Sequence, residues 1–268
     1  MKKVLPCIKT VKHRFKRWLY YARCRGISIA NRMIGKKTIH FLHIGKTGGT
    51  AIKEVLAGIS TTRRYRIILH PHNITLHDIP KGDGVVFFVR DPISRFVSGF
   101  YSRKKKGQSR YDAPWSPGEE AAFRQFSTPN ELAKALSSKD KQLRESALRA
   151  MKTMRHVNSF YKDWFETREY LSSRSSDIFF VGYQEQLDKD FEILKQLLGL
   201  PSDRAKLPKD PIKAHRNPPN LDMRLGSEAL ENLREWYADD YRFMRLFRMI
   251  RKRILQNWLE NKRKEEPW

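Results

Sequence analysis

Six residues near the start of the chain, Gly45-Lys46-Thr47-Gly48-Gly49-Thr50, carry what a phosphate site needs. An apolar, β-favouring run from Thr38 to Ile44 leads into them, and a helix-patterned stretch from Ala51 to Leu56 follows. A strand that feeds a glycine-rich turn into a helix N-terminus presents backbone N–H groups and the positive end of the helix dipole to an anion. Lys46 adds a full positive charge. A second segment has a matching character. Val85 to Val89 is a continuous apolar run, as in a strand buried on both faces of a parallel sheet, and Arg90 stands at its C-terminal end. Asp91-Pro92 then opens a helix, with Asp as cap and Pro at the first position, and Ser98 falls two turns in.

The register of the first loop separates it from the nucleoside-triphosphate loop Gly-x-x-x-x-Gly-Lys-Ser/Thr. That motif would require glycine at position 40, which is His40, and here the spare glycines follow the lysine. A nucleotide-dependent kinase is therefore the weaker alternative. The loop resembles the 5′-phosphosulfate loop of carbohydrate sulfotransferases. Arg90-Asp91-Pro92-x-x-Arg95-x-x-Ser98-x-Phe100 resembles the same family's 3′-phosphate motif. The resemblance implies 3′-phosphoadenosine-5′-phosphosulfate (PAPS) as co-substrate. Lys46 would sit at the bridging oxygen, and the N–H groups of Thr47, Gly48, Gly49, Thr50 and Ala51 on the 5′-phosphate. Arg90 and Ser98 would hold the 3′-phosphate. It also implies an α/β, P-loop-NTPase-like parallel sheet of about five strands with helices on both faces. No metal is expected, because loop amides and Lys46 can serve a single leaving phosphate.

A transfer to a hydroxyl needs a base. No carboxylate occurs between Glu54 and Asp78, a window that holds His70, His72 and His77. His70-Pro71-His72 is similar to the His-Gly-His of uronyl 2-O-sulfotransferases, which implies His72 as base with His70 assisting. An imidazole titrating near about 6.5 suits proton removal at neutral pH. Proline in place of glycine is a departure that restricts His70 to extended backbone. Glu54, in the first helix, is the fallback base. In a late Pro- and Lys-rich loop, Lys213-Ala-His-Arg216-Asn-Pro-Pro resembles the segment that closes over the nucleotide, with Arg216 and Lys213 as further 3′-phosphate candidates. Arg63, Arg64, Arg66 and Arg103 to Lys106 are candidates for an anionic saccharide.

These residues must be carried by alternating strands and helices. The strands read at 38–44, 65–69, 85–90 and 177–183. Helices read at 49–58, 92–104 and 186–198, with a polar helical region over 119–170 and one last helix from 227 to about 259. The chain of 268 residues has a net charge of +25, concentrated at its ends. Residues 1–37 hold 12 Lys/Arg and no acid, and residues 241–264 hold nine Lys/Arg and one Glu. We therefore expect a basic appendage at 1–37, a catalytic domain at 38–240, and a basic amphipathic helix and tail at 241–268. The apolar stripe Phe243, Phe247, Ile250, Ile254 and Trp258 suits an interfacial helix or packing on its own domain. Two cysteines cannot staple a domain of this size and no residues have metal-ligand spacing, which points to a reducing compartment and no metal. No run approaches a membrane span and no secretory signal is visible. The expectation is a bacterial cytoplasmic enzyme, peripheral on the inner face of the plasma membrane. Its acceptor would be a carbohydrate, anionic or lipid-linked. A non-catalytic basic module for membrane or nucleic acid would leave both phosphate motifs idle, and no nucleic-acid module is recognisable.

Overall fold

A computed structural model describes residues 8–108, 112–201, 205–208 and 221–265. Four parallel strands form one sheet in the order β2-β1-β3-β4: β1 (Lys37–Leu42), β2 (Tyr65–Leu69), β3 (Gly84–Val89) and β4 (Ile178–Tyr183). Helix α1 (Ile8–Met33) precedes the sheet, α2 (Gly49–Ala57) joins β1 to β2, and α3 (Pro92–Lys104) follows β3. The crossover to β4 continues through α4 (Pro117–Gln125), α5 (Pro129–Lys134), α6 (Lys141–Thr153), α7 (Lys162–Phe165) and α8 (Arg168–Ser173). After β4 come α9 (Leu187–Leu198), α10 (Ser227–Trp236) and α11 (Ala238–Glu265). The α/β class and parallel sheet agree with the sequence. Four strands are found among the described residues where about five were expected; after β4 the described elements are the helices α9, α10 and α11.

The uninterrupted apolar run of β3 follows from burial on both faces. Val85, Phe87 and Val89 pack with Phe165, Phe243 and Phe247, whereas Val86 and Phe88 pack with Ile52, Leu56, Phe191 and Leu194. A third cluster joins α3 to the helices of the crossover and to α10. The last helix, predicted as one piece, is two. Tyr237 leaves helical geometry between them, its ring buried and its hydroxyl donating to the Val157 carbonyl at 2.8 Å. The bend sets Asp240 against the buried Arg95 at 2.5 Å, which ties α11 to α3. Most of the apolar stripe of α11 belongs to the core: Phe243, Phe247 and Ile250 are buried and Ile254 packs at the edge.

The described part of the basic N-terminal segment is largely α1, which docks on the domain through a polar face. Arg17 pairs with Asp78 at 2.7 Å, Asn31 donates to Thr38 Oγ1 at 2.9 Å, and Arg32 pairs with Asp83 at 2.9 Å. Ser28 donates to Asp83, and Cys24 is buried beneath the helix.

Candidate active site

The phosphate loop lies at the C-terminal end of the central strand β1, where open α/β sheets place ligands. Gly48 has φ 80° and ψ 0°, a left-handed turn that favours glycine, and it caps α2 without a side-chain hydrogen bond. The first-turn amides of α2 are thus left for a ligand rather than for a capping side chain. Gly49 is required by proximity, since a Cβ there would stand 2.6 Å from His43 Cδ2. Thr47 is buried and donates to the Ile44 carbonyl at 3.0 Å, which shapes the loop from within. Its hydroxyl is therefore structural, while its amide remains with those of Gly48, Gly49, Thr50 and Ala51 in the proposed cradle. Position 40 lies inside β1, not in the loop, so the register of a nucleoside-triphosphate loop is excluded by geometry as well as by residue type.

Lys46 occupies the apex with φ 65°, a conformation that side chains rarely adopt and that recurs at functional loops. Burial, and then the charge of Arg90, push its ammonium down from 10.5 to about 8. Two cations are therefore held together at the mouth of the loop, an arrangement that an anion stabilises. Arg90 is fixed from three directions. Its Nε donates to Ser94 Oγ at 2.8 Å, its Nη1 reaches the Lys46 carbonyl at 3.5 Å, and its backbone N–H donates to the Tyr161 hydroxyl at 2.9 Å. Burial lowers its pKa. Asp91 caps α3 as expected, its Oδ1 accepting from Ser94 N at 2.9 Å. Ser98 is buried one turn beyond Ser94 on the same face of α3. Arg216 and Lys213 lie outside the described residues.

His72 is exposed, its ring packed on that of His43 with centroids 3.7 Å apart. Desolvation lowers its pKa below 6.5, and the charges of Lys53, Arg155 and Lys46 push the same way against a hydrogen bond to the His43 backbone. The ring is neutral at physiological pH and can accept a proton. His70 has different surroundings. It is fully buried, with Nδ1 at 2.6 Å from the Tyr20 hydroxyl and Nε2 at 2.8 Å from His40 Nδ1, while His40 Nε2 stands 3.2 Å from Asp83. Both its ring nitrogens are occupied, so this ring is tied to α1 and β1 rather than to His72. Glu54 is exposed on α2. His77 is exposed beside Glu166 at 3.3 Å.

The fold does bring potential metal ligands together, which the spacing along the chain conceals. Donor atoms of Cys24, His40 and His70 lie within 4.8 Å of one another. The two imidazoles are parallel to within 5° and joined nitrogen to nitrogen at 2.8 Å, the geometry of a shared proton. Of the cations offered to a saccharide, Arg103 is withdrawn: it is buried and bound to Glu119 at 2.6 Å and 2.8 Å.

One residue near the loop had no signal in the sequence. His156, between α6 and α7, has φ 69°. Its ring lies beside Gly45, and Gly99 admits its backbone, for a Cβ on Gly99 would stand 3.2 Å from it. Burial, and then Lys46 and Arg155, hold its pKa down to about 3. Nothing in a polar helical stretch marks such a histidine in advance, because only the fold carries it to the loop.

The strand–loop–helix turn at the end of β1 and Arg90 at the end of the adjacent β3 stand side by side at one edge of the sheet. A family model described as the Sulfotransferase family matches residues 31–247, and the chain belongs to that family. No curated protein gives a significant match. The match begins within α1 and ends within α11, so the sheet, both phosphate motifs and the helical crossover all fall inside it. The protein is a sulfuryl transferase of this family.

Proposed function

We propose that the protein transfers a sulfuryl group from PAPS to a hydroxyl of a carbohydrate, with His72 as general base. The carrying observation is the juxtaposition of Lys46 and Arg90 over the uncapped start of α2, with a neutral imidazole near enough to feel the Lys46 charge. The cradle fits an adenosine bisphosphate. The amides of Thr47 to Ala51 suit the 5′-phosphate, and Arg90, with Ser98 behind Ser94, suits the 3′-phosphate. In the reaction the sulfur–oxygen bond to the phosphate breaks as a bond to the acceptor oxygen forms. His72 takes the hydroxyl proton, and Lys46 stabilises charge growing on the leaving oxygen. We assign His70 a positioning role: its relay to Tyr20, His40 and Asp83 fixes the backbone two residues ahead of the base. The basic flanks suit an acceptor displayed at an anionic membrane surface.

Calorimetry with adenosine 3′,5′-bisphosphate tests the reading. The wild type should bind, and Arg90→Ala and Lys46→Ala should each bind at least about tenfold more weakly, as loss of a charge-assisted contact implies. Equal binding by all three proteins would overturn it. Sulfate transfer from labelled PAPS to a panel of polysaccharides then tests the acceptor class.

A further inference from the structure

The residues of α1 sort into three sectors around its axis. Cys24, Ser28 and Asn31 are buried against the domain, together with the paired Arg17 and the half-buried Tyr20. Opposite them, Phe15, Trp18, Leu19, Ala22, Gly26, Ile29 and Met33 fall on an arc of about 100° at 3.6 residues per turn. That arc faces solvent: Phe15 is 58 % exposed, Trp18 61 % and Met33 83 %. Phe15 and Trp18 stack with ring centroids 6.0 Å apart. Between the two sectors, exposed Lys16 and Arg23 flank one side of the apolar arc, and Arg14, Arg25 and Arg32 flank the other. No acidic residue occurs in residues 1–37.

We propose that the outward face of α1 is a membrane-docking surface that lies in the interface of an anionic lipid bilayer. An apolar stripe with Trp and Phe, bordered on both sides by cations with long stems, suits immersion at headgroup depth, with the basic side chains reaching anionic lipid. Charge selects this occupant. Two copies meeting through the stripe would oppose their basic borders without an acid between them, and a nucleic acid would leave the stripe unused. No helix of the described residues is long and apolar enough to cross a membrane, so the surface lies on a bilayer rather than through it. Tyr20, on the inner sector, bonds His70 at 2.6 Å, two residues from the proposed base. Docking thus leaves the inner sector of α1 bonded to the segment that carries the proposed base. This inference deepens the reading of a membrane-displayed acceptor and rests on it only for that last step.

Co-sedimentation of the full chain with vesicles tests it. With phosphatidylcholine doped with phosphatidylglycerol the protein should pellet, and with phosphatidylcholine alone far less. Phe15→Ser/Trp18→Ser/Ile29→Ser should lower partition by at least about tenfold, given the transfer energies of such side chains. Arg14→Gln/Arg23→Gln/Arg25→Gln should lose roughly fivefold per charge and most of its salt sensitivity. The substituted side chains are exposed, and an unchanged circular-dichroism spectrum and melting temperature verify the fold of each variant. Equal sedimentation of wild type and triple apolar variant would overturn the surface. So would a dimer that the apolar variant dissolves without loss of vesicle binding, or a tight RNA complex that only the charge variant loses. If vesicle binding behaves as stated while the wild type ignores the bisphosphate, the catalytic reading fails alone.

Discussion

If Lys46 holds the donor as proposed, it should couple donor binding to a proton, and the coupling should have a measurable size. Desolvation and Arg90 lower its pKa from 10.5 to about 8. At pH 8 about half of the free protein is uncharged at this position, and at pH 7 nearly all of it is charged. A bound phosphate restores the charge. Binding of adenosine 3′,5′-bisphosphate should therefore take up about half a proton at pH 8, and affinity should fall about tenfold per pH unit above that. Calorimetry in buffers of different ionisation enthalpy reads the uptake directly. Lys46→Arg is the control, because its guanidinium stays charged at every accessible pH and binding should proceed without proton uptake. Stability has a definite sign. The unfolded chain holds this proton to about 10.5 and the folded chain releases it near 8, so the charged lysine destabilises the free fold fully below pH 8 and less and less up to 10.5. The full shift corresponds to about 3 kcal/mol, and partial exposure reduces it. Lys46→Met should raise the melting temperature of the free protein while removing the stabilisation by nucleotide. A wild type that binds without proton uptake at pH 8, or a Lys46→Met protein that melts lower than wild type, would refute the coupling.

Other predictions address the remaining parts. His72→Ala should bind the bisphosphate normally and lose about 10² to 10⁴ in turnover, read by single-turnover transfer; full turnover would remove it as base. Below the lowered pKa of His72 the wild-type rate should fall as the ring protonates, so the acid limb of the rate profile lies under pH 6.5 and should vanish in that variant. Burial alone would raise the pKa of Glu119, but Arg103 and the amides of Ser116 and Arg155 bring it from 4.5 to about 2. Its stabilising contribution is complete above about 4.5 and is lost as pH falls towards 2. Glu119→Gln should cost about 3–5 kcal/mol in denaturant unfolding at pH 7, because it breaks the two-bond ion pair with the buried Arg103. Gly49→Ala should abolish nucleotide binding while the fold persists in circular dichroism, because its Cβ would meet the His43 ring at 2.6 Å.

The parts legible in the sequence are those governed by local rules. The spans 65–69 and 92–104 coincide with β2 and α3, and the Asp91-Pro92 start and the Gly199 stop behave as their residue types dictate. The two candidate phosphate motifs stand out because each is contiguous. What stayed hidden depends on contacts across the chain. The break at Tyr237 has no glycine or proline to announce it; it arises from one buried ring and the Asp240–Arg95 pair. The stripe of α11 has the same periodicity whether it meets lipid or Phe87, and only the fold decides. The difference between His70 and His72 is likewise nonlocal, since Tyr20 and His40, 50 and 30 residues away, occupy the ring of one and not the other.

The polar inner face of α1 explains how a surface helix can present an apolar outer one. A helix held by an apolar stripe can roll, since such contacts have little direction. Here the grip consists of directed bonds: Arg17 to Asp78, Tyr20 to His70, Ser28 to Asp83 and Asn31 to Thr38, spread over four turns. Each fixes the rotation as well as the position of the helix, so Phe15, Trp18, Ile29 and Met33 are held outward although burial would favour turning them in. One of those bonds continues through His70 and His40 to Asp83, and Asp83 returns to α1 through Ser28 and Arg32. The hydrogen bonds of that circuit can all run one way, with Asp83 accepting from His40, His40 from His70 and His70 from the Tyr20 hydroxyl. Burial holds His70 down to about 3, which keeps the circuit intact through the physiological range. Asp83→Ala removes the acceptor that orders these tautomers. It should loosen α1 in hydrogen exchange and lower turnover through the His70-Pro71-His72 strap, while bisphosphate affinity at Lys46 and Arg90 stays unchanged. Unaltered exchange in α1 would show that the relay does not fix the helix.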